Sequence, residues 1–292
     1  MRLIFLTCIT MMAFAANSLL TRVALADGRI GPADFSAIRL ASAAIVLFGL
    51  VWLRGGQLNL SRPARWRGVL ALTVYVIGFS FAYVSLSAGV GALILFGTVQ
   101  VTMFTAAMRG SEGIPRRRLI GAAVAFSGLI WLMWPIGVAA PNLLGSGLMM
   151  LAGIGWGAYS ILGKSVRDPT AETAANFMLA VPFGLVAVMI TSGPSPTPTG
   201  IALGLTSGIL TSGLGYALWY SILPRIQTST AAIAQLTVPI IAAAAGVALI
   251  GEAVTTRLGI AAVLVICGVA ASLRPDHQPL QPSRAVAPSD QL

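Results

Sequence analysis

Ten runs of predominantly apolar residues follow one another along this chain, separated by short segments that hold most of the charges. A helix rises 1.5 Å per residue, so about 20 apolar residues cross a hydrocarbon core near 30 Å. The runs therefore predict an all-α integral membrane protein with ten transmembrane helices. Their predicted positions are 3–25, 33–53, 67–87, 90–108, 118–135, 143–163, 172–191, 200–221, 229–249 and 257–273.

Composition excludes the soluble classes that this length would otherwise allow. Hydrophobic residues make up 57% of the chain and charged residues 9%, too few to cover a soluble surface. The net charge of +10 would suggest nucleic acid in a soluble protein. However, the basic residues lie in gaps between apolar runs and form no connected basic face, so we expect a lipid bilayer and not nucleic acid as the partner.

The distribution of arginine predicts the orientation. Positive residues concentrate in the segments that alternate crossings place on the side of the N-terminus, notably 54–67, 109–118 and 164–167, whereas the opposite segments carry Arg22, Arg29 and Arg257. Because cytoplasmic loops are enriched in Lys and Arg, both termini are predicted to be cytoplasmic. Residues 275–292 are polar and contain prolines, which predicts a disordered cytoplasmic tail.

The two halves of the chain show weak but ordered self-similarity. Residues 17–22 align with 159–164 at an offset of 142, and Glu112 aligns with Glu252 at an offset of 140. These matches predict one five-helix repeat at 1–136 and a second at 137–274. Since five is odd, the second repeat must be inverted in the membrane, an architecture typical of secondary transporters with a solute site between the halves.

Short motifs carry a resemblance to the EamA-type branch of the drug/metabolite transporter superfamily. Pro239, Gly251-Glu252 and Gly268 match the pattern that closes such a repeat, and Arg39 matches a basic residue common in the second helix. The similarity covers about 3–273; it departs at Gln100, where the family has proline, and at Ser111, where it has glycine. The resemblance implies export of amino acids and related metabolites, and one group of this branch favours aromatic amino acids. Together with the topology, it also implies a location in an inner cell membrane.

Acidic residues fall at helix ends, in loops or in the tail, and the single histidine is His277. A membrane enzyme or a carboxylate proton relay would need such groups clustered or at depth. We therefore expect no enzyme activity, no cofactor and no metal site, and facilitated diffusion in place of proton antiport.

Aromatic residues at helical spacing are the first candidates for a solute site. Rings at i, i+4 and i+8 share a helix face, and similar faces recur in both halves. Such stripes also form ordinary cores or interfacial belts, so both roles stay open. The predicted substrate-binding aromatics are Tyr75, Phe79, Tyr83, Trp156, Tyr159, Tyr216 and Tyr220.

Polar residues at membrane depth are the second set of candidates. Asn17, Gln100 and Gln235 need hydrogen-bond partners, either another helix or a solute. Arg39 lies within the second predicted helix; it could snorkel to the headgroups or pair with Asp34, or it could contact a substrate carboxylate.

These features favour a secondary transporter that exports small amphipathic metabolites by alternating access, with amino acids, including aromatic and hydrophobic ones, as the best substrate class. Carriers of drugs or nucleotide-linked sugars are the alternatives within that class. A membrane scaffold or receptor that transports nothing is the alternative outside it. The sequence leaves the oligomeric state open.

Overall fold

The structure is a computed structural model that describes residues 1–63, 65–108, 116–134, 140–163, 166–225 and 234–273. Within these ranges the regular secondary structure is helical. Ser111, Glu112 and the tail at 275–292 lie outside the described residues. The helices are α1 (Arg2–Ala26), α2 (Pro32–Leu53), α3 (Arg65–Tyr83), α4 (Ala88–Met108), α5 (Arg116–Met133), α6 (Leu143–Gly163), α7 (Pro169–Ile190), α8 (Pro198–Ile222), α9 (Thr237–Ile250) and α10 (Thr256–Leu273).

Seven of the helices described are long and apolar enough to cross a membrane: α1, α2, α3, α4, α6, α7 and α8. The apolar stretches of α5, α9 and α10 are shorter, at Leu119–Leu132, Thr237–Ile250 and Thr256–Ala271. Large apolar side chains such as Ile45, Trp52 and Met189 point outward and are largely exposed. Such an apolar exterior is suited to lipid and not to water.

The predicted end of the third helix needs correction. The third helix ends at Tyr83, not at 87, because a turn follows and Arg22 Nη1 donates hydrogen bonds to the carbonyls of Tyr83 and Val84 (3.1 Å each). The predicted start of the ninth helix at 229 lies outside the described residues, and the structure describes this helix from Thr237. Pro239 has no N–H to extend the ladder backwards, so it suits the first turn of a helix.

Helix pairings follow a regular pattern. α2 packs on α7, α5 on α10 and α4 on α9; α3 and α4 pack on α6, while α8 and α9 pack on α1. If the first five helices are exchanged for the last five, the α2–α7, α4–α9 and α5–α10 pairings are unchanged. The pairings of α3 and α4 with α6 become those of α8 and α9 with α1. The two inverted five-helix repeats at 1–136 and 137–274 stay a prediction.

The middle of α8, Ser207–Leu214, is a π-helix. Glycine allows this helix to lie against α2: a Cβ added to Gly208 would come within 2.7 Å of the Arg39 carbonyl oxygen, and one added to Gly204 within 3.1 Å of Ile38 Cγ2. π-helical turns are uncommon and frequently mark functional positions. This close approach places the π-helical segment, which carries several hydroxyl groups, against α2 at Arg39, the charged residue that α2 carries at membrane depth.

Candidate functional site

Trp156 on α6 lies at the centre of a buried cluster of aromatic rings contributed by both halves of the chain. Its ring centroid is 5.0 Å from that of Tyr75, 4.9 Å from Tyr216 and 6.0 Å from both Phe14 and Tyr159. The structure thus brings four of the seven predicted aromatics into one group, here called the aromatic cluster. The sequence predicted these four residues separately and did not predict Phe14; only packing shows that the five rings meet.

The remaining predicted aromatics extend this cluster toward the two ends of the bundle. Phe79 lies 5.5 Å from Tyr75 and 4.7 Å from Tyr83, whose hydroxyl donates to the Ala88 carbonyl at the α3–α4 turn. Tyr220 is buried near the opposite end. Sequence reasoning missed Phe177 on α7, which packs 5.7 Å from Tyr216, because no aromatic repeat marks it.

Arg39 reaches into the aromatic cluster and is fully buried. Its Nη2 donates to the Tyr75 hydroxyl (2.9 Å) and, more weakly, to the Tyr216 hydroxyl (3.5 Å). Its Cζ lies 5.2 Å from the Tyr75 ring centroid and 5.0 Å from that of Phe79, within cation–π range. The guanidinium therefore neither snorkels to the headgroups nor pairs with Asp34, which were the alternatives to a site role.

The π-segment of α8 supplies partners for two of the polar residues at depth. Arg39 Nε donates to Ser212 Oγ (2.8 Å), and Asn17 Oδ1 accepts from Ser207 Oγ (2.7 Å) and Thr211 Oγ1 (2.9 Å). For Asn17 these bonds favour the role of joining α1 to α8. Ser212 was not predicted, since a serine in an apolar helix carries no distinguishing signal.

The two predicted glutamines differ in their surroundings. Gln100 on α4 is only partly buried, whereas Gln235 is buried just before α9 and its Oε1 has no partner among the described residues. Neither lies among the aromatic contacts above. Their role in substrate binding stays a prediction.

A cleft of about 700 Å³ opens at the end of the bundle that holds the α2–α3 and α6–α7 loops. We call this the inner end, because the sequence predicts it to be cytoplasmic. The exposed residues Gln57 and Asn59 line its mouth, and buried Tyr159 and Tyr220 line its interior. The cleft thus leads from the inner end to the aromatic cluster and has a volume typical of sites for small molecules.

An ion pair missed by sequence reasoning lines this cleft. Arg65 at the start of α3 donates from Nε to Glu172 Oε1 (3.1 Å) and from Nη2 to Glu172 Oε2 (2.7 Å). The two residues are 107 positions apart in sequence, and their helices become neighbours only in the folded chain. A charged residue at a helix end indicates the orientation of the helix in the membrane, but it does not indicate which residue it will form an ion pair with.

A second ion pair lies at the opposite end of the bundle, here called the outer end. Gly251 ends α9 with φ of 67°, which favours glycine, and directs the chain so that Glu252 meets Arg22 Nε at 3.3 Å. The same carboxylate accepts the backbone N–H of Ala88 at the start of α4 (2.9 and 3.1 Å). Glu252 therefore joins α9 to α1 and to α4 at this end.

No group of three or more histidine, cysteine, aspartate or glutamate side chains that could hold a metal ion occurs within the described ranges. The chemistry available in the aromatic cluster is recognition: a buried cation, phenol hydroxyls and ring faces. Such groups can bind an amphipathic solute without changing it covalently.

Known proteins that are similar to this chain include transporters. The model of the EamA-like transporter family matches residues 143–274. An uncharacterized protein of Pseudomonas aeruginosa is 44% identical over 277 residues, which is 94% of this chain and 95% of that protein. A "Probable amino-acid metabolite efflux pump" of Salmonella typhimurium is 25% identical over 218 residues, 68% of this chain and 73% of the pump.

A solved crystal structure shares the fold. It has a TM-score of 0.66 at 16% sequence identity and covers 93% of this chain and 96% of its own. Together with the family match and the full-length relative, this identifies a multi-pass membrane protein. The chain belongs to the EamA-like transporter family.

Proposed function

We propose that this protein exports amino acids, best those with aromatic or other hydrophobic side chains, by alternating access between two inverted five-helix repeats. The name of the Salmonella relative, an amino-acid metabolite efflux pump, supports the substrate class. The paired aromatic faces of the two halves support a solute site between them. Cytoplasmic termini would place the cleft on the side from which an exporter loads.

The environment of Arg39 carries the proposal. A fully buried guanidinium would ordinarily be paired with a carboxylate, because an unpaired charge in an apolar interior is costly. Within the described residues Arg39 bonds only neutral hydroxyls, and its Nη1 has no hydrogen-bond partner. A substrate carboxylate would complete this set of contacts with the planar geometry that guanidinium favours.

The rings around Arg39 suit the remainder of such a substrate. Trp156, Tyr216 and Phe79 offer faces and edges to an apolar or aromatic side chain, while the Tyr75 hydroxyl stays close to the charged head. One guanidinium in the described part of the cluster matches one carboxylate better than the two phosphates of a nucleotide-linked sugar. Amino acids are therefore favoured over that alternative.

The state of the two ends supports alternating access. The outer end is held by the Arg22–Glu252 pair, whereas the inner end has an open cleft. Exchange of the two halves maps the helix pairings onto one another, so the same contacts can be rebuilt with the opposite end open.

Counterflow in liposomes that contain only this protein tests the proposal. Liposomes loaded with unlabelled phenylalanine should accumulate labelled phenylalanine transiently, and liposomes without protein should not. A scaffold or receptor would give no counterflow, and a drug carrier would give it with cationic drugs but not with amino acids. Either result would contradict the proposed function.

A substitution panel tests the location of the site. Phe79, Tyr83, Trp156, Tyr216 and Tyr220 are each changed to Ala and to Leu, with variants matched for folded protein and assayed against several amino acids. Trp66→Leu is the control, since Trp66 pairs with Phe183 away from the cluster. We expect the variants at these five positions, but not the control, to change the ranking of substrates; uniform losses would assign the rings to packing.

A further inference from the structure

Two residues that line the inner cleft each carry a buried polar atom that lacks a partner within the described ranges. Arg65 Nη1 and Asn176 Oδ1 have no hydrogen-bond partner among the described residues, although the two side chains are 5% and 3% exposed. Both residues line the cleft. Leaving a buried donor or acceptor unpaired costs free energy, so such atoms in a cavity point to a ligand that pairs with them.

The unpaired group on Arg65 is a donor whose direction is fixed. Its Nε and Nη2 hold both oxygens of Glu172, so the guanidinium cannot rotate without breaking that fork. Arg62 Nη1 lies 3.8 Å from the same carboxylate. The remaining Nη1 therefore offers charge-assisted hydrogen bonds to an anionic group in the cleft.

The unpaired group on Asn176 is an acceptor, as a chain of hydrogen bonds shows. Thr173 Oγ1 donates to the Pro169 carbonyl (2.7 Å), so it must accept from the Tyr159 hydroxyl (3.3 Å). Tyr159 must in turn accept from Asn176 Nδ2 (3.4 Å). Because the carbonyl at the end of the chain can only accept, the amide is oriented with Oδ1 free.

Local structure places the donor and the acceptor together. Glu172 and Asn176 are four residues apart on α7 and so share a helix face. Gly68, one turn after Arg65 on α3, lets that helix lie against Asn176, since an added Cβ would come within 3.1 Å of Asn176 Nδ2. Glu172 is partly buried beside them, with 18% of its side chain exposed.

We propose that Arg65, Glu172 and Asn176 form a loading site that recognises the zwitterionic head of an α-amino acid at the inner mouth, before the solute reaches Arg39. This inference rests on the proposed function. The carboxylate binds Arg65 Nη1, and the ammonium binds Asn176 Oδ1 and the Glu172 carboxylate. The side chain then points toward Tyr159 and Tyr220, further along the cleft.

Such a site distinguishes amino acids from compounds that carry only one of the two charges. L-Phenylalanine, 2-phenylethylamine and 3-phenylpropionate share a ring and differ only in the head group. Binding of each to the purified full-length protein is measured by isothermal titration calorimetry. We expect phenylalanine to bind at least about tenfold more tightly than either analogue, the effect of one additional charge-assisted hydrogen bond.

Substitutions assign the preference to individual groups. Asn176→Leu should reduce the affinity for phenylalanine about tenfold, to that for 3-phenylpropionate, and leave 3-phenylpropionate binding unchanged. Asn176→Asp keeps an acceptor and should keep the preference for phenylalanine. Arg65→Lys keeps the charge opposite Glu172 but loses the fork, and should weaken both carboxylate-containing ligands and not the amine.

Control variants alter the same cleft outside the proposed loading site. Asn59→Leu removes an exposed amide, and Arg167→Lys changes an exposed arginine. Both should keep the wild-type ranking of the three ligands. If Asn176→Leu also keeps it, or if the analogues bind wild type as tightly as phenylalanine, the loading site is wrong.

Counterflow separates this inference from the proposed function. Normal counterflow of phenylalanine with no preference for the zwitterion overturns the loading site and supports export. Preferential binding that depends on Asn176, without counterflow, supports the loading site and overturns export. Wild-type protein that neither binds nor exchanges phenylalanine overturns both.

Discussion

Arg39 is a cation held by neutral groups. Its three described hydrogen bonds go to hydroxyl oxygens, and two aromatic rings lie within cation–π distance. Hydroxyls and ring faces lower the desolvation cost of the charge but do not neutralise it. Under the proposed function, the anion that completes these contacts is the carboxylate of the substrate.

Replacing Arg39 by lysine tests this reading of the residue. Arg39→Lys keeps the charge and loses the planar fork, so the apparent affinity for phenylalanine in counterflow should fall about tenfold to hundredfold, because a hydrogen bond to a charged group is worth about 1.5–3 kcal/mol. Arg29→Lys, at an exposed pair with Asp27, is the matched control and should have no effect. Unchanged affinity for Arg39→Lys would assign the guanidinium to helix packing.

Asn17 is expected to act in packing, in contrast to Arg39. Asn17→Leu removes an acceptor shared by Ser207 and Thr211, so it should lower the free energy of unfolding by about 1–3 kcal/mol for two interhelical hydrogen bonds. Thermal unfolding in detergent measures this loss. The ranking of amino acid substrates should stay as in wild type; a changed ranking would return Asn17 to the substrate site.

At the scale of elements, α8 combines close packing with a local widening of the helix. Its glycines let the backbone approach α2, and its π-segment presents Ser207, Thr211 and Ser212 to buried polar partners. A regular α-helix would place these three hydroxyls on a different set of faces. The position of Arg39 therefore depends on the whole of α8 and not only on its own helix.

Gly208→Ala tests the contact between α8 and α2. The added Cβ would meet the Arg39 backbone, 2.7 Å from its carbonyl oxygen and 3.1 Å from its Cα, and neither atom can move independently. We expect destabilisation of about 1–3 kcal/mol, measured by thermal unfolding, together with reduced counterflow. Gly147→Ala on α6 is the control; nothing lies within 4 Å of its added Cβ, so stability should be kept or slightly increased. Equal stability of the two variants would show that the α2–α8 contact adapts.

At the scale of the whole molecule, the two ends differ. Glu252 ties three helices together at the outer end, while the inner cleft separates the α2–α3 and α6–α7 loops. Export by alternating access requires the Arg22–Glu252 pair to break when the outer end opens. It also requires the inner end to face the cytoplasm.

Cysteine labelling tests the orientation. Cys8 and Cys267 are exposed and are first changed to serine. In that background, Ser195→Cys in the α7–α8 loop should react with an impermeant thiol reagent added to intact cells, and Asn59→Cys at the inner mouth should react only after permeabilisation. The reverse pattern would show that the cleft opens to the exterior and would contradict export as the direction of loading.

The sequence by itself determined the class of protein and nearly all helix positions, because the requirement for about 20 apolar residues per crossing is local and strong. Short motifs such as Gly251-Glu252 indicated the family. The sequence also named the aromatic residues and Arg39, since large rings and a charge at membrane depth are visible in one dimension. An error arose where the local pattern carries no signal: the end of α3 is set by Arg22 from another helix.

Only the tertiary structure decided which of these residues meet. Arg65 with Glu172, Arg22 with Glu252 and Arg39 with Ser212 are contacts between helices distant in sequence. Each depends on helix crossing and on which glycines allow close approach, and in an apolar segment many helix faces are chemically alike. The sequence therefore specifies the helices and the polar residues they carry, whereas packing alone determines the partners of those residues and thus the site.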